Sequence, residues 1–161
     1  MNNIFSKVNK VLTLGLTHYE KNGGGDNMIE GISHITFIVR DLELATKFFK
    51  EIFAAEEVYS SGDNTFSTSR EKFFMIGGQW IAIMEGESLP TRTYNHIAFK
   101  ISETDFEIYQ SRIRRLGVDC KPPRPRIEGE SKSLYFYDFD NHLFEIHTGK
   151  LSQRIERYKM K

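Results

Sequence analysis

Alternation between apolar and polar positions is the clearest signal in this chain, and it comes in two similar rounds. In residues 32–39 (ISHITFIV), His34, Thr36 and Ile38 share one face of a predicted strand, and Ile35, Phe37 and Val39 share the other. Asp41 then stands at an N-cap position ahead of Leu42, Ala45, Phe48, Phe49 and Ile52, whose spacing gives the buried stripe of a helix of about three turns. Short strands are expected over 57–60, 65–69, 72–76 and 80–85, with Gly77-Gly78 as a hairpin turn.

The second round opens with residues 94–101 (YNHIAFKI), which align with the first opening so that His96 falls on His34. Ser102 and Asp105 mark a helix start, Phe106, Tyr109, Ile113 and Leu116 form its stripe, and Gly117 ends it. A loop rich in proline and arginine follows, then a strand over 134–138, the turn Asp140-Asn141-His142 and a closing strand over 143–147. Aligning the closing strands of the two rounds by their terminal glycines, Gly86 and Gly149, sets Glu145 against Ala82. The tail is expected to be helical. The implied fold class is α+β: two small curved sheets, each with exposed edges, that must close against a second module.

Residues 1–27 differ, with one short apolar patch at 11–16 and a polar run ending in three glycines, and are expected to be an extension outside the fold. The working domain is then 28–161, comprising a first module at 28–88, a second at 92–149 and a tail helix at 150–161. The 161 residues carry 22 basic and 22 acidic side chains, so no global field is available to hold nucleic acid or an anionic membrane. No apolar run approaches the roughly 20 residues of a membrane-spanning helix. One cysteine, Cys120, excludes an intrachain disulfide and a thiolate metal cluster, and fits a cytoplasmic location.

A lone histidine in a strand is ordinarily a hydrogen-bonded structural residue. Here His34 and His96 stand at equivalent positions, with a carboxylate, Glu145, at a third position defined by the same repeat; the fourth is Ala82. Two imidazoles and one carboxylate suit a divalent ion with coordination positions open to substrate. His147 shares the strand face of Glu145 and is expected to support the ligands from behind.

The paired openings HITFIV and HIAFKI, with YFYDFDNHLFEIHTG near the end, resemble the vicinal oxygen chelate superfamily of paired βαβββ modules. Within it they are similar to the fosfomycin resistance proteins of the FosX type, which are manganese-dependent epoxide hydrolases. That resemblance implies a cupped mixed sheet in a domain-swapped homodimer. His34 of one subunit and His96 with Glu145 of the other would hold Mn²⁺. It further implies Glu71 as general base and fosfomycin as substrate, with Thr36, Tyr135, Arg154 and one of Arg124 and Arg126 contacting the drug. Thiol-using members commonly carry a cysteine two residues after the first histidine, where Thr36 stands here. A thiol transferase opening the same epoxide, or a drug-binding protein of the same fold without catalysis, are the competing expectations.

Overall fold

The computed structural model describes residues 29–122 and 131–159. The expected extension at 1–27 lies outside the described residues, as do Arg124 and Arg126. β1 (His34–Val39) leads through Asp41 into α1 (Leu42–Phe53). Asp41 caps that helix by accepting from the backbone N–H groups of Glu43 and Leu44, both at 2.9 Å. Ala54 ends it in the left-handed region at φ 53°, where its N–H and that of Ala55 return to the carbonyls of Lys50 and Phe49.

β2 (Glu56–Ser60), β3 (Glu71–Ile76) and β4 (Gln79–Glu85) complete a first sheet of order β1-β4-β3-β2. Gly77 and Gly78, both at positive φ, make the β3–β4 hairpin. The strand expected over 65–69 does not form. Instead the chain turns at Gly62, Asn64 donates back to the Ser61 carbonyl at 3.1 Å, and the serine- and threonine-rich segment stays irregular.

The second round gives β5 (His96–Lys100), a single 3₁₀ turn (Glu103–Asp105) capped by Ser102, α2 (Phe106–Leu116), β6 (Ser133–Tyr137) and β7 (Leu143–His147). Gly117 ends α2 at φ 71°. These strands form a sheet of order β5-β7-β6, with one strand fewer than the first among the described residues. Cys120 reaches Phe136 only by an isolated bridge, and Pro122, lacking an N–H, sits just beyond. α3 (Leu151–Lys159) follows, with Leu151 and Tyr158 largely exposed.

Both sheets turn one face to a single aromatic core. Phe48, Phe49, Phe74, Phe136 and Phe144 are fully buried in it, and ring centroids of the two modules approach to 5.2 Å between Phe48 and Phe144 and 4.8 Å between Phe53 and Phe99. Polar ties add to this packing. Arg40, just after β1, donates from its backbone N–H and Nε to Asp140 at 3.1 and 3.2 Å, and Ser88 shares the same carboxylate oxygen. The opposite faces stay open. On β1, His34, Thr36 and Ile38 are exposed, and both β1 and β5 are edge strands.

Because Phe48 is shared by both modules, Phe48→Ala should lower the stability of the whole chain by roughly 3–5 kcal/mol. Urea unfolding should then show one transition at a lower midpoint with an unchanged slope; two separated transitions would mean that the modules do not share a core.

Candidate metal and substrate site

Pairing register assigns each side chain to its face. His34 lies opposite Trp80 and Thr36 opposite Ala82 on β4; Ala82 and Met84 in turn lie opposite Phe73 and Glu71 on β3. His34, Thr36 and Glu71 therefore occupy the same open face of the first sheet. In the second sheet His96 lies opposite Leu143, and Ala98 opposite Glu145, which pairs in turn with Tyr135. Glu145 stands two residues beyond the partner of His96, and Ala82 stands two residues beyond the partner of His34. The two positions are equivalent in register.

His96 and Glu145 meet: Nε2 lies 3.1 Å from Oε2. The imidazole is oriented by its other nitrogen, for Nδ1 donates to the Tyr94 carbonyl at 2.8 Å. A carbonyl can only accept, so Nδ1 carries a proton, and Nε2 is the nitrogen turned to the carboxylate. A proton on Nε2 would make this contact an ion-paired hydrogen bond, and without that proton a cation must take its place between the two atoms. The Glu145 side chain is only 4% exposed, and its Oε1 has no hydrogen-bond partner among the described residues. His147 Nδ1 stands 3.5 Å from that oxygen and contacts Ser133 Oγ at 2.8 Å. A divalent cation could take the place of a proton between Nε2 and the carboxylate and engage the unpartnered Oε1, so these residues fit a metal.

Behind the pair, the ring of His96 packs edge-on against Tyr94 and Tyr135, at 5.1 and 5.3 Å. Burial above all, then the Tyr94 hydroxyl and the Glu145 carboxylate, pushes the Tyr135 phenol well above its ordinary range. The phenol therefore keeps its proton at neutral pH and remains a donor. Gly149 is required for space here: a Cβ would meet His147 Nε2 at 2.6 Å and Ser131 closer still.

Within one chain, His34 does not join this pair, and no group of three or more His, Cys, Asp or Glu is arranged to hold a metal ion among the described residues. His34 instead lies against Trp80, with ring centroids 4.4 Å apart, and its Nδ1 is 3.3 Å from Ser33 Oγ. Glu71 is 8% exposed, and no described side chain hydrogen-bonds or ion-pairs with its carboxylate. Thr36 is exposed beside Ala82, and Arg154 is half-buried on α3. Trp80, Tyr94 and Ser133 escaped the sequence reading. The Gly77-Gly78 hairpin sets Trp80, the single tryptophan, opposite Met75, whereas its place opposite His34 comes from the parallel β1–β4 pairing, which no local motif marks.

His142 is no ligand in this arrangement. Its Nδ1 lies 2.7 Å from Asp138 Oδ2, while Asp138 Oδ1 accepts from the backbone N–H groups of Asp140 and His142 at 2.9 and 2.8 Å. These bonds fix the turn that delivers β7 and Glu145.

Residues 31–146 match the family of the glyoxalase/bleomycin resistance protein/dioxygenase superfamily. The fosfomycin resistance protein FosX of Listeria monocytogenes is 63% identical over 131 residues, covering 81% of this chain and 98% of that protein. A metallothiol transferase FosB of Shouchella clausii is 36% identical, covering 82% of this chain and 89% of that protein. Among solved structures, a point variant of Listeria monocytogenes FosX complexed with Mn(II) and 1S,2S-dihydroxypropylphosphonic acid has a TM-score of 0.74 and 59% identity, covering 81% of this chain and 99% of that one. The chain belongs to the glyoxalase/bleomycin resistance protein/dioxygenase superfamily and, within it, to the FosX fosfomycin resistance proteins.

Proposed function

We propose that this protein inactivates fosfomycin by adding water across its epoxide, using a Mn²⁺ ion held by His34 of one subunit and His96 with Glu145 of another. The observation that carries this reading is the His96–Glu145 pair, an imidazole nitrogen and a buried carboxylate 3.1 Å apart, with the other carboxylate oxygen lacking a hydrogen-bond partner among the described residues. The FosX relative that binds Mn(II) and a dihydroxypropylphosphonic acid supports it, because that diol is the class of compound water makes from fosfomycin.

When bound, the divalent ion supplies Lewis-acid polarisation of the epoxide oxygen and charge for the phosphonate. The chain supplies the rest. Glu71, poorly exposed and without a described side-chain partner, accepts a proton from the attacking water. The water oxygen bonds to a ring carbon, that carbon's C–O bond breaks, and the freed oxygen takes up a proton to complete the diol. Tyr135, its phenol kept protonated, donates from Oη to a substrate oxygen. Thr36, Arg154 and one of Arg124 and Arg126 meet the phosphonate oxygens.

Purified protein with Mn²⁺ and fosfomycin but no thiol should yield the diol, followed by ³¹P NMR. Turnover appearing only with added glutathione or another small thiol would replace this reading with the transferase one, and protection without turnover would leave a binding protein. Glu71→Gln should cut hydration on the order of 10²–10⁴-fold with Mn²⁺ affinity retained.

Subunit sharing has its own test. His34→Ala and Glu145→Ala proteins, each inactive, should regain about a quarter of wild-type activity after being unfolded together and refolded, since half the dimers are mixed and each mixed dimer rebuilds one of two sites. No recovery would place all three ligands within one subunit.

A further inference from the structure

Glu71 begins β3 at the point where regular pairing with β2 stops. The last regular pair of that ladder is Ser60 with Lys72, so Ser61 and Glu71 would form the next. Half of that pair is ordinary: the Ser61 N–H donates to the Glu71 carbonyl at 3.0 Å. The other half is not. The Ser61 carbonyl is diverted into the turn, where it accepts from Asn64 N–H at 3.1 Å. The Glu71 N–H is taken instead by the Ser61 hydroxyl, at 3.0 Å. Ser61 is 5% exposed and Glu71 8%, so water does not readily substitute for this bond.

The two cations flanking Glu71 are engaged elsewhere. Arg70 forks onto Glu85 at 2.9 and 2.5 Å, and its carbonyl accepts from the Glu85 N–H at 2.9 Å. Lys72 points to the other face, bonded to Glu43 at 2.7 Å. Neither neutralises the Glu71 carboxylate, yet both anchor the backbone on either side of it.

Building on the proposal that Glu71 is the general base, we infer that Ser61 is a positioning residue for it. The Ser61 hydroxyl extends the β2–β3 ladder by one bond after the chain has turned away, and so fixes the Cα–Cβ direction of Glu71 toward the open face that carries Thr36 and His34. Placement of a base matters steeply, since an error near 1 Å costs on the order of a hundredfold in rate.

The experiment compares Ser61→Ala, Ser61→Thr, Glu71→Gln and the double variant Ser61→Ala/Glu71→Gln as full-length, Mn²⁺-loaded proteins, measuring kcat, KM for fosfomycin, Mn²⁺ affinity and thermal melting. Expected results are a ten- to hundredfold fall in kcat for Ser61→Ala with KM and Mn²⁺ affinity within about twofold, and substantial recovery in Ser61→Thr. On the Glu71→Gln background, Ser61→Ala should cost nothing further. Full turnover by Ser61→Ala overturns the inference, as does an equal loss on the Glu71→Gln background or a loss of Mn²⁺ affinity. If Glu71→Gln is inactive in those cases, the role of Glu71 itself stands. Full turnover by Glu71→Gln removes the base and, with it, the inference.

Discussion

The structure depends on one commitment: a face of each sheet is given to a common phenylalanine core. Phe37, Phe74, Phe136 and Phe144, from strands of both sheets, close around Phe48 and Phe49 of α1. Strand side chains alternate, so this commitment decides where every polar side chain on the same strands must go. His34 and Thr36 face outward because Ile35 and Phe37 face inward; Glu145 lies on the open face because Phe144 and Ile146 take the core. A one-residue slip in β7 would place a carboxylate among the rings and Phe144 at the site, so burial of the core enforces the register of the chemistry.

That arrangement also explains why a chain with a well-packed core carries a poorly satisfied carboxylate. Among the described residues, buried side-chain polar atoms without hydrogen-bond partners are confined to Trp80 Nε1 and Glu145 Oε1, and both lie on the open faces. Leaving a carboxylate oxygen dry and unpaired costs more than a typical hydrogen bond contributes. The core, the Arg40–Asp140–Ser88 link and the Asp138–His142 turn hold β7 in place despite that cost. If these groups bind a cation as proposed, being held ready in this way spares them rearrangement.

Much of this was legible in the sequence, and the reasons are local. Alternation over 32–39 and 143–147 located β1 and β7, the aspartate before Leu42 marked the start of α1, and repeat alignment placed Glu145 against Ala82, matching their register. The strand expected over 65–69 failed because hydroxyl-bearing side chains offer the backbone competing bonds, and alternation does not register that competition. Ser61 was invisible for the same reason: its hydroxyl matters only because its own carbonyl has turned away, a consequence of the Gly62 turn rather than of any motif. Tyr94 contributes a carbonyl to His96, and a backbone contribution leaves no trace in residue type.

Ala82 gives the two modules different work. Its position in the first sheet is the one Glu145 fills in the second, yet it is 3% exposed and flanked in register by Thr36 and Phe73. A carboxylate there would add a second anion to the open face that already carries Glu71. On the proposed function it would raise the charge facing a phosphonate dianion and compete with the substrate for the cation. A methyl group leaves that ground neutral. On the function proposed above, the first module would supply one imidazole, a hydroxyl and a base, and the second an imidazole, the buried carboxylate and a protonated phenol. The duplicated strands keep their matched register while their side chains differ: core positions exchange one apolar residue for another, as Ile81 for Phe144, and the open face exchanges a methyl group for a carboxylate.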